Sequence, residues 1–366
     1  MPVELNDHDL ERGYFRVRIA KRASIGFPLC FFFLMLFAHR FVLAQAPGTT
    51  TSDQLPSTPP ATTLSAAHQG NVPAQIAAGQ AYYGGMTVRR NYPEAVKWFS
   101  AAAQQGSFEA TAWLGACYLY GRGVAQDAGN AATLIQAAAQ ADDPVGLRFL
   151  GVMYAEGQGV PRDYTKANQA FVRATQKLDA NSFDQLGVLY LRGLGVRKSA
   201  FHAASLFTKG ARLGDSWSQL NLGEMYESGN APHAQGGARN QSYAMALKQY
   251  GDSAAQGNKV AAYKIGHLYE AGLGVKQDYG QALEYYRQSA DHFYPPAQVA
   301  LGNAAELGLG TPPSTVYAYI WYSMAADQGN DEAEKRLALL KPKMNADDLQ
   351  QARTLVSQME AMRTGN

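Results

Sequence analysis

Ala110-Thr111-Ala112-Trp113-Leu114-Gly115-Ala116-Cys117-Tyr118-Leu119-Tyr120-Gly121-Arg122-Gly123-Val124 is one pass through a pattern that the chain runs through seven times. Gly115 stands in register with Gly79, Gly151, Gly187, Gly223, Gly266 and Gly302, at successive separations of 36, 36, 36, 36, 43 and 36 residues. A period of this size marks a repeat protein, in which each unit is one supersecondary element that buries its apolar face by stacking on its neighbours.

The residue types around each register glycine predict two helices per unit. Five residues before it the side chain is always small: Ala74, Ala110, Gly146, Ser182, Ser218, Ala261 and Ala297, with Ala333 after the last full unit. The residue just before it is apolar, as in Leu114, Leu150, Leu186, Leu222 and Leu301, and a tyrosine follows three later in every unit but the last, where Ala305 stands. Those offsets fall on one stripe of a helix, helix A. Glycine inside a helix costs about 1 kcal/mol relative to alanine, so close approach by a neighbouring helix is expected to compensate. A second glycine six residues on, such as Gly121, Gly157 or Gly272, suits a left-handed C-terminal cap. Asn91, Asp127, Asp163, Ser199, Ser242, Asp278 and Ser314 each stand four residues before an alanine and are N-cap types for helix B. Helix B closes on small residues, as in Ala101-Ala102-Ala103-Gln104-Gln105-Gly106.

The small-x(3)-Leu-Gly-x(2)-Tyr stripe, the Gly-x-Gly-Val stop and the Ala-Ala-x-Gln-Gly ending closely resemble the Sel-one-like repeat family, a relative of the tetratricopeptide repeats. The resemblance covers about residues 73–333. Ala305 in place of tyrosine, Thr311-Pro312 in place of valine, and the lack of Gln-Gly in four units, the fourth and sixth among them, are its departures. It implies an all-α protein, an α/α solenoid wound as a right-handed superhelix of about seven two-helix repeats. Proteins similar to it act as interaction scaffolds and bind protein partners along the groove lined by helix A.

Outside the repeats the chain changes character. Ile25 to Ala38 carry no charge and follow a basic stretch with Arg12, Arg16, Arg18, Lys21 and Arg22, the layout of a secretory signal. Cleavage after Ala44 and an uncleaved anchor over residues 25–44 both remain open; the anchor has just the length to span about 30 Å of bilayer. Either places the repeats outside the cytoplasm, in the periplasm or anchored at the inner membrane, with membrane contact only through 25–44 if uncleaved. Residues 1–44 are thus read as signal or anchor, 45–72 as a Pro/Thr/Ser-rich disordered spacer, and 334–366 as a C-terminal cap. The cap is expected to hold a helix begun by Asn345 or Asp347, with Leu349, Ala352, Leu355, Val356 and Met359 on one face.

Residues 45–366 carry 26 basic and 26 acidic groups with no basic run, which argues against nucleic acid, whose binding depends on phosphate neutralisation. Cys117 is the one cysteine beyond the export segment, at a position apolar in other units, and reads as a buried thiol. The histidines are scattered, and no Gly-x-Ser-x-Gly elbow, Ser-x-x-Lys motif or phosphate loop is present. No catalytic, cofactor or metal residue is assigned, and the chain reads as a non-enzyme. Some exported relatives, stapled by paired cysteines, are linked to cell-wall or β-lactam hydrolysis; a lone Cys117 departs from them. A glycan-binding module using Trp113 and Phe149 is a further alternative.

A ligand is expected on the helix A positions that point away from the stripe and vary between units: Trp113, Phe149, Gln185, Asn221, Lys264 and His267. Trp113 and Phe149 are the expected exposed anchors, because interface energy concentrates in such residues, or else pack on the next repeat. Glu227, Glu270 and Glu306 form an acidic line in the last three units. The insertion at 230–240 reads as loop growth.

Overall fold

The computed structural model describes residues 56–85, 87–231 and 239–364. They form seventeen helices and no strand. Contacts divide them into two compact units, up to Asn221 and from Leu222 onward. The signal or anchor read over 1–44 lies outside the described residues.

The first unit opens with α1 (Ala61–His68) and continues with the pairs α2 (Val72–Gly84) and α3 (Tyr92–Gln104), α4 (Phe108–Tyr120) and α5 (Ala128–Gln140), α6 (Pro144–Glu156) and α7 (Tyr164–Gln176), and α8 (Ala180–Arg192) and α9 (Ala200–Arg212). Helix α10 (Ser216–Glu227) runs across the division. In the second unit follow α11 (Arg239–Ala254), α12 (Lys259–Ala271), α13 (Tyr279–Asp291), α14 (Pro295–Leu307), α15 (Thr315–Ala326) and α16 (Asp331–Leu340). A short 3-10 turn then leads into α17 (Ala346–Thr364).

The stops and starts follow from local chemistry. Gly121 ends α4 at φ 64° and returns its N–H to the Cys117 carbonyl, a geometry open to glycine and costly to L side chains. Gly123, two residues on, lies so close to Tyr92 of the preceding repeat that a Cβ would come within 2.4 Å of its carbonyl oxygen. Asn91, Asp127, Asp163, Ser199, Asp278 and Ser314 cap their helices, each accepting from a backbone N–H. Ser242 is a correction: α11 already begins at Arg239, so Ser242 sits inside the helix and is buried. Extra chain before this helix lets it start early; residues 232–238 of the insertion lie outside the described residues.

Helix A has its own row of caps. Asn71, Ser107, Asp143, Asp179, Asp215, Asn258 and Asn330 each accept from the N–H of the small residue three places on. Only Tyr294 breaks the row, in front of Pro295 at the first helical position.

What lies over the register glycine is a side chain of helix B. Phe99 covers Gly79, Phe171 covers Gly151, Phe207 covers Gly187, Tyr250 covers Gly223, Tyr286 covers Gly266 and Tyr322 covers Gly302; Ile135 does the same at Gly115. These side chains are the buried centre of each repeat. The small residues of both helices permit that approach, as the helical glycine required.

The ends differ from expectation at one point. Inside the spacer read over 45–72, α1 is helical and buries Ala67, whose carbonyl accepts from Gln75 at 3.1 Å. Its His68 meets Trp98 edge-on at 4.9 Å. Alanine and leucine supply the helical preference there, and the first repeat supplies a face to cover. At the other end Asn345 caps α17, accepting from the Asp348 N–H at 2.7 Å. Ala352, Leu349 and Val356 of that helix close over Tyr319, Leu337 and Leu340.

Candidate partner-binding face

Trp113 lies half-buried on α4 within an aromatic stack. Its ring is nearly parallel to Phe99, with centroids 5.6 Å apart and 9° between planes, and meets Tyr83 edge-on at 5.3 Å. Phe149 of the next repeat meets it edge-on, also at 5.3 Å. The Arg148 guanidinium lies 5.4 Å from the Trp113 ring centre and 4.6 Å from that of Phe149. Arg148 in turn stands 3.4 Å from the Asp179 carboxylate that caps α8, with both side chains largely buried. Cation, ring and cap thus fix one another across three consecutive repeats.

Two expected contact residues are corrected by this geometry. Phe149 is only 6% exposed and Asn221 only 4%. Phe149 packs against the neighbouring repeat and supports Trp113, while the Asn221 amide donates to the buried Asp184 carboxylate. Both sit two residues before the register glycine, where the side chain turns toward the preceding helix A. Gln185 is half-buried, with a buried Oε1 that accepts no hydrogen bond among the described residues. In the second unit Lys264 is half-buried between Glu227 at 3.4 Å and Glu224 at 3.8 Å, and His267 is exposed.

Charge on the face is shaped by burial. Burial, reinforced by the nearby Asp143 charge, pushes the Glu109 carboxyl above its ordinary range. Asp143 is itself pushed up, again chiefly by burial. Arg122, from the Gly-x-Gly stop after α4, lies 5.0 Å from the ring centres of Tyr83 and Tyr120 and donates to the Tyr83 hydroxyl at 2.7 Å. Burial drives the Tyr83 hydroxyl up to about 12. Nothing in the repeat pattern singled out Arg122 or Arg148, because neither position recurs with the same residue.

The acidic line has a structural reason. Tyr250 donates to Glu227 at 2.5 Å, Tyr286 to Glu270, and Tyr322 to Glu306 at 3.1 Å. Where the covering side chain has no hydroxyl, the matching helix A residue carries no charge: Leu119, Ala155 and Leu191 opposite Ile135, Phe171 and Phe207, and Tyr83 opposite Phe99. Burial alone would raise the Glu306 carboxyl, but the Lys343 ammonium and the Tyr322 hydroxyl outweigh it and hold it below its usual value. Tyr319 and Tyr322 of the aromatic run are likewise buried.

Among the described residues no three His, Cys, Asp or Glu side chains gather into a metal-binding group, and no helix is long and apolar enough to cross a membrane. Cys117 is fully buried, and burial pushes its thiol up to about 12.

The Sel1 repeat model matches residues 72–107, 108–143, 144–169, 185–215, 218–247, 259–292 and 295–330. The chain belongs to the Sel1 repeat family. Its two-helix units are Sel1 repeats, and the seven of them fit an α solenoid. A Sel1 repeat protein from Oxalobacter formigenes has a similar structure, with 28% identity, a TM-score of 0.55, and 76% of this chain and 78% of that one covered. A protective antigen of uropathogenic Escherichia coli with an SLR fold shares 26% identity over 81% of this chain and 85% of its own, at a TM-score of 0.37. An immunity protein from Pseudomonas aeruginosa shares 18% over 77% and 88%, at a TM-score of 0.35. No curated protein matches the chain. Sel1 repeat proteins are generally non-catalytic and generally bind protein partners.

Proposed function

We propose that this Sel1 repeat protein is an exported, non-enzymatic scaffold of the cell envelope that holds protein partners on the exposed parts of its A helices. The observation that carries this reading is the Trp113 stack. Tryptophan is a residue type in which binding energy concentrates, and Phe99, Phe149 and the largely buried Arg148 hold the half-buried Trp113 in place before any partner arrives. Gln185 adds a half-buried amide side chain at the same helix A position two repeats on. Lys264 and His267 form a separate polar patch in the second unit. Export rests on the basic stretch ahead of Ile25–Ala44.

Proximity labelling from the full chain in its native cell identifies the neighbours. Trp113→Ala is expected to weaken capture of a direct partner by about thirtyfold, the effect of losing a hot spot of about 2 kcal/mol. Gln185→Ala, which removes no packed ring, is expected to weaken it less while leaving the melting temperature unchanged. Capture indifferent to both substitutions would refute the assignment of this face. Hydrolysis by the purified protein that one polar substitution abolishes would replace the scaffold reading with an enzyme. Protease accessibility of the repeats in intact spheroplasts tests export, and mass analysis of the first residue, expected at Gln45 after cleavage, separates a signal from an anchor.

A further inference from the structure

In three units helix B ends on Gln-Gly, and two of the glutamines fold back onto helix A. Gln105 donates to Gln75 and Gln328 to Gln298, each at 2.8 Å, while the glycines take φ of +88° and +80°. Four units depart from that ending: the second and sixth read Ala141-Asp142 and His292-Phe293, and the adjacent third and fourth place leucines there, as Lys177-Leu178 and Leu213-Gly214. Leu178 occupies the glycine position at φ +62°, a conformation that L side chains resist, and is 67% exposed. Leu213 occupies the glutamine position and is 44% exposed. Asp142, also at positive φ, is held there by Arg173 at 2.9 Å and Lys177 at 2.5 Å. Phe293 takes φ +56° at the same position of the sixth unit but is half-buried, whereas Leu178 gains neither such a bond nor cover.

The two leucines flank one groove of about 560 Å³ between the end of α7, the start of α8 and the second half of α9. Phe183 and Leu206 lie at its apolar base, and Lys209 and Arg212 line it with exposed side chains. Neither cation forms an ion pair among the described residues. Basic residues in a last helical turn complement the helix dipole by themselves, but that effect does not call for leucines beside them. We infer that this groove is a second docking surface, which takes an acidic amphipathic segment of a protein partner: apolar side chains against Phe183, Leu206, Leu178 and Leu213, carboxylates toward Lys209 and Arg212. The groove has room for two or three apolar side chains, and its positive flank selects the sign of the partner. It shares no residue with the Trp113 face and does not depend on it.

The test uses the full chain and fluorescent synthetic peptides about 14 residues long, with leucines at helical spacing and glutamates between them. One control replaces every glutamate with lysine, and another replaces every leucine with serine. Anisotropy is expected to show salt-sensitive binding of the acidic leucine peptides alone. Leu178→Gly with Leu213→Gln restores the repeat residues; it is expected to weaken binding by about tenfold or more while the melting temperature holds or rises. Lys209→Glu with Arg212→Glu is expected to shift preference to the lysine peptide. Absence of binding across a panel of such peptides would overturn the proposal, as would binding indifferent to charge or to both double substitutions. Self-association, or binding to phosphatidylglycerol vesicles, that the leucine substitutions abolish would assign the groove to a different occupant and overturn it equally.

Discussion

A methyl group added at Gly187 would meet the Phe207 ring at 2.4 Å. Helix preference favours alanine there by about 1 kcal/mol, and overpacking a fitted core costs about 1–3 kcal/mol, so the clash wins. Gly187→Ala is expected to lower stability in urea unfolding, and Phe207→Leu in the same chain to return part of the loss. Cys117 gives a second residue-scale test. Its thiol is raised from 9.0 to about 12 because burial disfavours the thiolate. The folded state therefore keeps a proton that the unfolded state releases, and this contribution to stability is lost progressively as pH rises from about 9 toward 12. Peptide mapping after iodoacetamide at mildly alkaline pH is expected to find Cys117 unmodified in the native protein and modified in denaturant. Rapid native labelling would contradict a closed repeat core.

At the scale of elements, each pairing of helix A with helix B is a choice between two chemistries. Tyr286→Phe strips the Glu270 carboxylate of its hydroxyl donor, and an unsatisfied, partly buried acceptor costs about 1–3 kcal/mol. Tyr286→Phe with Glu270→Leu reproduces the Phe207 and Leu191 pair of an earlier unit and is expected to recover most of that loss. A double-mutant cycle read by chemical unfolding decides it; additive losses would mean that the tyrosine and glutamate act independently. Caps obey simpler arithmetic. Asp163→Ala deprives the Thr165 and Lys166 N–H groups of their acceptor and is expected to cost about 1 kcal/mol. The same logic made helix B starts readable from the sequence, whereas the equally regular caps of helix A hid beside the Gln-Gly endings. Ser242 shows the limit of such reading, since a good N-cap residue is buried where the helix starts earlier.

Repeat proteins gain stability from neighbour contacts, so their ends weigh more than their length suggests. A chain ending at Lys343 would lose the cover that Ala352, Leu349 and Val356 give to Tyr319, Leu337 and Leu340. Lower thermal stability and increased dye binding to exposed apolar surface are the expected results. The sequence by itself determined the number of repeats, the helix pairs and the places where they stop, because glycine spacing, small residues and capping side chains act over one or two turns of chain. It also placed Cys117 in the core and foresaw a C-terminal cap. Only the tertiary structure decided that α1 covers the first repeat, that the acidic line answers the hydroxyls of helix B, and that Phe149 and Asn221 face neighbouring helices. Those outcomes depend on which side chain arrives from another helix, 16 to 37 residues away along the chain. Offset along a helix fixes the direction of a side chain, and the packed neighbour decides whether that direction leads to solvent.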